Sequence, residues 1–145
     1  MNAAAGPEAT HPDLRARREE LVRRHFEAQN QLDLEAALDT LDEPRLELIG
    51  TNRVFVGRDE VAQYFRESRH VFPDQQRELI ALHHGDDAIV VEFWFSGTML
   101  GELPGIHPTG RRFRARLCAI CEFEQVRLTC VRIYFDAGTI ARQLA

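Results

Sequence analysis

Two side chains in the sequence combine acid–base chemistry with a position that faces an apolar interior. Tyr64 lies on the inner side of a predicted helix, where its phenol could donate a hydrogen bond to a substrate carbonyl or enolate oxygen. His25 lies on or beside the apolar stripe of another predicted helix, and an imidazole titrates near neutral pH. Each has a structural alternative. Tyr64 could be a core residue with its hydroxyl at the rim, and His25 a boundary histidine packed against a sheet.

The other histidines and the cysteines give weaker signals. His107, in a Gly- and Pro-rich loop, could line the mouth of a cavity or lie exposed on the surface. His83 and His84 are adjacent in a predicted strand and therefore point to opposite faces, as do Cys118 and Cys121, which are three residues apart. We therefore predict no metal site. The sequence also lacks phosphate-binding glycine motifs and the G-x-S-x-G motif, so no cofactor and no serine nucleophile are predicted.

Composition excludes several classes of function. All 18 positive charges of the 145-residue chain are arginines, and 23 carboxylates give a formal net charge of -5. The absence of lysine excludes Schiff-base chemistry on a lysine, and the acidic balance argues against nucleic-acid binding. No apolar run is long enough to span a bilayer, and the N-terminus lacks the segments of a signal peptide. The sequence predicts a cytoplasmic protein without a nucleic-acid or membrane partner.

Helical patterns come first along the chain and strand patterns follow. Residues 1–10 predict a disordered tail and residues 11–145 a single domain. The predicted helices are Pro12–Asn30, a short helix between the cap Asp33 and Pro44, and Asp59–His70. The predicted strands are Arg45–Ile49, Val54–Val56, Glu78–His84, Ala88–Leu100, Arg112–Glu124 and Arg127–Asp136. This order predicts an α+β fold, in which three N-terminal helices pack on a curved antiparallel sheet and close a cone-shaped cavity.

Strand alternation predicts what the two faces of this sheet carry. If odd-numbered residues face the cavity, the wall is uncharged and suits a hydrophobic small-molecule ligand. The predicted lining residues are Phe26 and Phe65 from the helices, and Phe93, Phe95, Met99, Phe113, Leu117, Ala119, Cys121, Val131, Ile133 and Phe135 from the strands. The even face, with Trp94, Arg116, Arg132 and Tyr134, predicts a homodimer interface. A three-residue loop at Gln125–Arg127 would place Arg116 opposite Asp136.

Several short motifs, in their order and spacing, resemble the SnoaL-like polyketide cyclases of the nuclear transport factor 2-like superfamily. The motifs are Gly57-Arg-Asp-Glu-Val61, Phe72-Pro-Asp74, the stretch Phe95–Phe113 with Gly97-Thr98, Arg132-Ile-Tyr-Phe-Asp136 and Arg142-Gln-Leu144. The resemblance spans about Leu21 to Ala145. It implies a cone of helices and curved sheet, a homodimer or tetramer, and a hydrophobic polyketide bound in the cone, where an aspartate and a histidine close a ring by acid–base chemistry.

The chain departs from that family at the positions that carry the chemistry. Ile133 stands where the resemblance places the catalytic aspartate, Ala119 where it places the histidine, and Met99 follows Gly97-Thr98 where many relatives have histidine. The resemblance also makes Glu47 a candidate acid–base residue, with a solvated strand carboxylate as the alternative. We therefore expect cyclisation or isomerisation of a polyketide or terpenoid-like substrate, aided by positioning or by Tyr64, His25 or Glu47. The alternative is a non-catalytic module that binds a ligand or partner.

Overall fold

The computed structural model describes residues 11–145, so the predicted tail of residues 1–10 lies outside the described residues. The helices are α1 (His11–Asn30), α2 (Leu34–Asp39), α3 (Arg58–Val71) and α4 (Ala137–Leu144). The strands are β1 (Leu41–Leu48), β2 (Arg53–Val56), β3 (Gln76–His84), β4 (Ala88–Thr98), β5 (Arg112–Glu124) and β6 (Arg127–Tyr134). Among the described residues, no helix is both long enough and apolar enough to cross a bilayer.

The N-terminal helices follow the sequence signals closely at their starts. Asp33 caps α2 as predicted, because its carboxylate accepts a hydrogen bond from the Ala36 amide at 3.1 Å. The helix ends earlier than expected, at Asp39, and the Thr40 hydroxyl donates to the Ala37 carbonyl at 2.6 Å. Pro44 therefore lies inside β1, and the chain is already extended three residues before it.

The strands form one six-stranded sheet in the order β2-β1-β6-β5-β4-β3. Strands β3 to β6 make the predicted antiparallel meander. β1, however, runs parallel to β6, with Leu46 beside Val131, so the sheet is mixed and not wholly antiparallel. A sequence pattern identifies a strand but not the strand with which it pairs. The pairing of β1 with β6 joins segments that are far apart in the sequence, so no local pattern predicts it.

A fourth helix, α4, which the sequence patterns did not lead us to predict, follows the last strand. Asp136 caps α4 by accepting from the Gly138 amide at 2.9 Å and from the Thr139 hydroxyl at 2.8 Å. Gln143 then ties the helix to β5 by hydrogen bonds to both backbone groups of Arg114. The signal was present as an Asp cap before an apolar stripe, but an eight-residue helix is stable only when it packs against the sheet.

The β5–β6 hairpin has the predicted register, but a different turn produces it. Its turn is the two-residue Gln125-Val126, and a bulge between Glu122 and Phe123 supplies the offset that we assigned to a longer loop. Cys118 consequently pairs with Tyr134, the register that extrapolates to Arg116 opposite Asp136. The predicted Arg116–Asp136 ion pair is nevertheless wrong, because β6 ends at Tyr134 and Asp136 turns away to cap α4.

The convex outer face of the sheet carries the even-numbered side chains, as alternation predicts. Trp94 lies half-buried beneath two arginines, with its ring 3.8 Å from the guanidinium carbon of Arg114 and 4.8 Å from that of Arg116. Arg132 bridges Glu122 and Glu47 on the neighbouring strands. This face combines an aromatic centre with paired charges, a composition common in interfaces between protein chains.

We propose that this outer face joins two copies of the chain. Trp94→Arg then places a third cation between Arg114 and Arg116 and leaves it unpaired when the copies associate. We expect the dimer dissociation constant, measured by sedimentation, to rise at least tenfold. Leu100→Arg is the control, because Leu100 is exposed in a loop outside the sheet. A wild-type chain that sediments as a monomer at every concentration contradicts the proposal.

Candidate functional site

A cavity of about 940 Å³ lies between the concave face of the sheet and helices α1, α3 and α4. From the helices, Phe26 and Phe65 line it as predicted. From the strands, the predicted residues that line it are Phe93, Phe95, Phe113, Leu117, Ala119, Val131, Ile133 and Phe135. Alternation on the long strands thus identifies most of the apolar wall.

Two predicted lining residues do not reach the cavity. Met99 is fully buried, but it follows the end of β4, and its amide bonds the Arg111 carbonyl at 3.0 Å in the loop that leads to β5. Cys121 lies near the far end of β5, which the first half of α1 covers: Arg18 donates to the Gln125 carbonyl there at 2.6 Å. Both predictions were wrong because alternation gives the face of a residue but not its position along the cone.

The wall is not uncharged, which corrects a second expectation. Arg77, on edge strand β3, also lines the cavity. Its Nη2 donates to Gln75 Oε1 at 3.1 Å and its guanidinium carbon lies 4.6 Å from the centre of the Phe95 ring. Its Nη1 is buried without a hydrogen-bond partner among the described residues. Burial lowers the pKa of Arg77 to about 10, so the side chain still carries its charge at neutral pH.

Tyr64 lies on the cavity side of α3. Its ring stacks on Phe55 with centroids 4.7 Å apart. Burial raises the pKa of Tyr64, while the charge of Arg77 and the Ser68 side chain act in the opposite direction. The phenol is therefore protonated at neutral pH and can donate a hydrogen bond to a ligand.

A buried glutamine connects Arg77 to the helix that carries Tyr64. Gln75 is only 1% exposed, and its Oε1 accepts from Arg77 while its Nε2 donates to the Ser68 hydroxyl at 3.4 Å and to the Phe72 carbonyl at 3.0 Å. Ser68 in turn lies one helical turn after Tyr64 on α3 and acts to lower the pKa of its phenol. Neither Gln75 nor Arg77 was predicted as a site residue, because both come directly after the residues that end α3, where we expected only a loop leading to a strand.

His25 is buried, and its hydrogen bonds indicate which ring nitrogen is free. Nδ1 lies 2.6 Å from the Thr40 hydroxyl oxygen, and that hydroxyl lies 2.6 Å from the Ala37 carbonyl. The carbonyl can only accept, so the Thr40 proton points to it and Nδ1 must donate to Thr40. Nε2 is then the unprotonated nitrogen. Burial, aided by the charge of Arg77, lowers the pKa of His25 to about 4 and keeps the ring neutral.

Two other candidates lie away from the cavity. Glu47 alternates with Leu46 and Leu48, which line the cavity, so its carboxylate projects from the outer face, 3.2 Å from Arg45 and 3.8 Å from Arg132. The expectation that Glu47 lies near the ligand is therefore wrong. His107 is 96% exposed and faces Glu102 across 3.6 Å, so the surface alternative holds for it.

The described residues support neither a metal site nor a thiol nucleophile. Residues 11–145 contain no cluster of three or more His, Cys, Asp or Glu side chains that could hold a metal ion. Cys118, Cys121 and Cys130 are free thiols. Burial raises the pKa of Cys121 to about 12, so this thiol is protonated at neutral pH and unreactive as a nucleophile.

Comparison with known proteins places the chain in a family. The sequence matches the SnoaL-like polyketide cyclase family over residues 19–144, which includes every cavity residue described above. The chain belongs to that family. A search of curated proteins found no match.

Solved structures of the nuclear transport factor 2-like fold superpose closely. A candidate polyketide cyclase from Xanthomonas campestris pv. campestris is 20% identical, with a TM-score of 0.84 and coverage of 91% of this chain and 99% of that one. TsrD from Streptomyces laurentii is 26% identical, with a TM-score of 0.78 and coverage of 90% and 96%. TerC, co-crystallised with polyporic acid, is 11% identical, with a TM-score of 0.76 and coverage of 88% and 98%. The predicted family and fold are confirmed.

The buried, neutral His25 makes stability depend on pH. The pKa of His25 is about 4 in the folded chain, against an ordinary value of 6.5. Between pH 6.5 and pH 4, therefore, the unfolded chain takes up a proton on this histidine and the folded chain does not. Stability therefore falls as the pH drops from 6.5 to 4, by about 3 kcal/mol from this group.

His25→Asn retains a donor near Thr40 but does not titrate. We expect its urea-unfolding free energy to lose about 3 kcal/mol less than that of the wild type between pH 7 and pH 4. His83→Asn, at an exposed histidine, should follow the wild type. Parallel curves for the wild type and His25→Asn would show that His25 is not held neutral in the folded state.

Proposed function

We propose that the protein is an enzyme that promotes cyclisation or isomerisation of a hydrophobic, polyketide- or terpenoid-like small molecule inside the cavity. The observation that carries the proposal is a pair of polar groups suited to proton transfer, Tyr64 and His25, on an otherwise largely apolar wall. TerC, which shares the fold, was co-crystallised with a small molecule. Membership of the SnoaL-like family supports the same class of activity.

The chemistry follows from the hydrogen-bonding atoms that the two side chains leave free for a ligand. The Tyr64 phenol donates a hydrogen bond to a substrate carbonyl oxygen, and Nε2 of His25 accepts the proton from the adjacent carbon. The electron pair of the broken C–H bond moves onto the carbonyl oxygen, and the enolate that forms is stabilised by Tyr64. In a ring closure the enolate carbon then attacks a second carbonyl, and His25 returns its proton to the new alkoxide. In an isomerisation the proton returns to a different carbon.

The apolar wall contributes by selecting the substrate conformer. Aromatic rings contact one another along the wall: Phe26 of α1 packs edge-on against Phe93 of β4 with centroids 5.0 Å apart, and Phe95 packs against Phe113 of the adjacent strand β5 at 5.3 Å. Such a surface holds a flexible apolar chain in a folded shape, and effective concentration in a held conformer lowers an intramolecular barrier by roughly 7 kcal/mol or more. Proton transfer by Tyr64 and His25 adds to that effect.

A non-catalytic ligand-binding module is the second candidate, and one observation favours it. Ile133 and Ala119, the positions at which the family resemblance places the acid–base pair, line the cavity with apolar side chains. A binding module predicts ligand uptake without turnover, whereas the enzyme predicts turnover that depends on Tyr64.

Uptake of an apolar ligand is tested with N-phenyl-1-naphthylamine, an uncharged probe whose fluorescence rises in apolar surroundings. We expect saturable binding to the wild type and at least tenfold weaker binding to Ile133→Gln, which places an amide among the rings. Ile120→Gln is the matched control, because Ile120 alternates to the outer face of β5. Equal binding to Ile133→Gln and the wild type contradicts the position assigned to the ligand.

Turnover is tested on a substrate recovered by mass spectrometry of ligands that co-purify with the protein. Tyr64→Phe removes the donor to the developing enolate, and we expect kcat to fall on the order of 100-fold, as for loss of one oxyanion donor. Tyr134→Phe, on the exposed outer face, should retain full activity. A Tyr64→Phe variant as active as the wild type contradicts the proton-transfer role, and ligand without product in the wild type establishes the binding module.

A further inference from the structure

We propose that Arg77 is a receptor for a carboxylate, so that the ligand of this cavity is an apolar molecule bearing one carboxylate group. The inference rests on the proposed function in one respect, since it takes the cavity as the ligand site. It adds the substrate class and a specificity-determining residue on β3. Three features of Arg77 support it: its charge, its surroundings and its rigidity.

The first feature is that the chain does not neutralise this charge itself. No carboxylate oxygen of the described residues lies within 4.0 Å of the Arg77 guanidinium, and the neighbouring groups that perturb it most are Tyr64 and another arginine, Arg69. Arg53, which also lines the cavity, does have a carboxylate partner, Glu67 at 3.6 Å. A buried charge without a counter-ion is costly, and a ligand carboxylate removes that cost.

The second feature is that the surroundings of Arg77 attract an anion. Arg69 also has no carboxylate partner among the described residues: its Nη1 donates to the Leu32 carbonyl at 3.1 Å, and its Nε is buried without an acceptor. Arg69 lies outside the cavity lining and Asp33 raises its pKa, but Arg69 is close enough to Arg77 to lower the pKa of that guanidinium, so the two like charges make this side of the cavity positive. The potential there favours a negative group, while the rest of the wall favours apolar surface.

The third feature is that Arg77 is held in place before any ligand arrives. Asn30, at the end of α1, bonds both backbone groups of Arg77, accepting from its amide at 2.7 Å and donating to its carbonyl at 2.8 Å. Gln75 fixes Nη2, and the guanidinium plane rests against Phe95. A planar guanidinium fixed in this way can offer two parallel N–H donors to one carboxylate, and little side-chain entropy is lost on binding.

The hydrogen-bond chain through Gln75 suggests how the carboxylate positions the rest of the ligand. Gln75 bonds Arg77 and Ser68, and Ser68 lies one helical turn after Tyr64 on α3, so the anchoring cation and the proposed proton donor are held in a fixed relation. An acid anchored at Arg77 therefore presents its apolar body to the aromatic wall and a carbonyl to Tyr64.

The test compares 2-naphthoate with its uncharged methyl ester, each as a competitor of N-phenyl-1-naphthylamine at pH 7. For the wild type we expect the acid to displace the probe at a concentration at least tenfold below that of the ester. Arg77→Met should abolish this preference and leave the affinity for the ester within twofold. Arg66→Met is the control, because Arg66 is an exposed arginine that also lines the cavity, and it should keep the preference.

The possible results separate this proposal from the proposed function. Equal affinity of the wild type for acid and ester, or a preference that persists in Arg77→Met, overturns the carboxylate receptor while the apolar ligand site stands. Failure of the wild type to bind any of the three compounds overturns both. Circular dichroism checks folding, and Arg77→Gln, which retains an amide donor toward Gln75, replaces Arg77→Met if the methionine variant does not fold; the same loss of preference is expected.

Discussion

Curvature of the sheet is the constraint on which the rest of the structure depends. Register shifts at Leu79/Ala81 and at Glu122/Phe123 interrupt the regular ladders of the meander, and such bulges bend strands and increase their twist. Helices α1 and α3 pack over the concave face that results, and their side chains fill only part of the space above it. The unfilled remainder is the cavity of about 940 Å³, and α4 borders it at the end of the chain.

The polar groups of the cavity obey the rule that a buried donor or acceptor needs a partner. His25 satisfies Nδ1 through Thr40, and the Gln75 side chain is bonded to both Ser68 and Arg77. A single hydrogen bond of this kind stabilises the fold only modestly, but a buried polar group left without a partner costs about 1 to 3 kcal/mol. This difference explains why these side chains occupy single defined positions. Arg77 departs from the rule, since one of its donors is buried and unpaired. A group that the fold itself leaves unsatisfied is a reason to look for a ligand.

Much of the site could be predicted from periodicity alone, and the predictions that failed have identifiable physical causes. The aromatic wall, Tyr64 on the inner side of α3, and His25 on the buried stripe of α1 all follow from spacing. Glu47 was placed near the ligand by family resemblance, yet its neighbour Leu46 faces inward and strand alternation then sends Glu47 outward. The parallel pairing of β1 with β6 and the packing of α4 on β5 are contacts between distant segments, which no local pattern encodes.

The sequence by itself determined the element order, the α+β class, the family, and which residues are apolar on the inner face of each long strand. These properties depend on local propensity and on periods of two or 3.6 residues, which are written along the chain. Only the tertiary structure decided that Arg77 faces inward without a counter-ion, that Gln75 connects it to Ser68 of α3, and that His25 is neutral. Charge state and pairing depend on which groups approach one another across the fold and on how much water they exclude, and the chain meets those conditions only once it is folded.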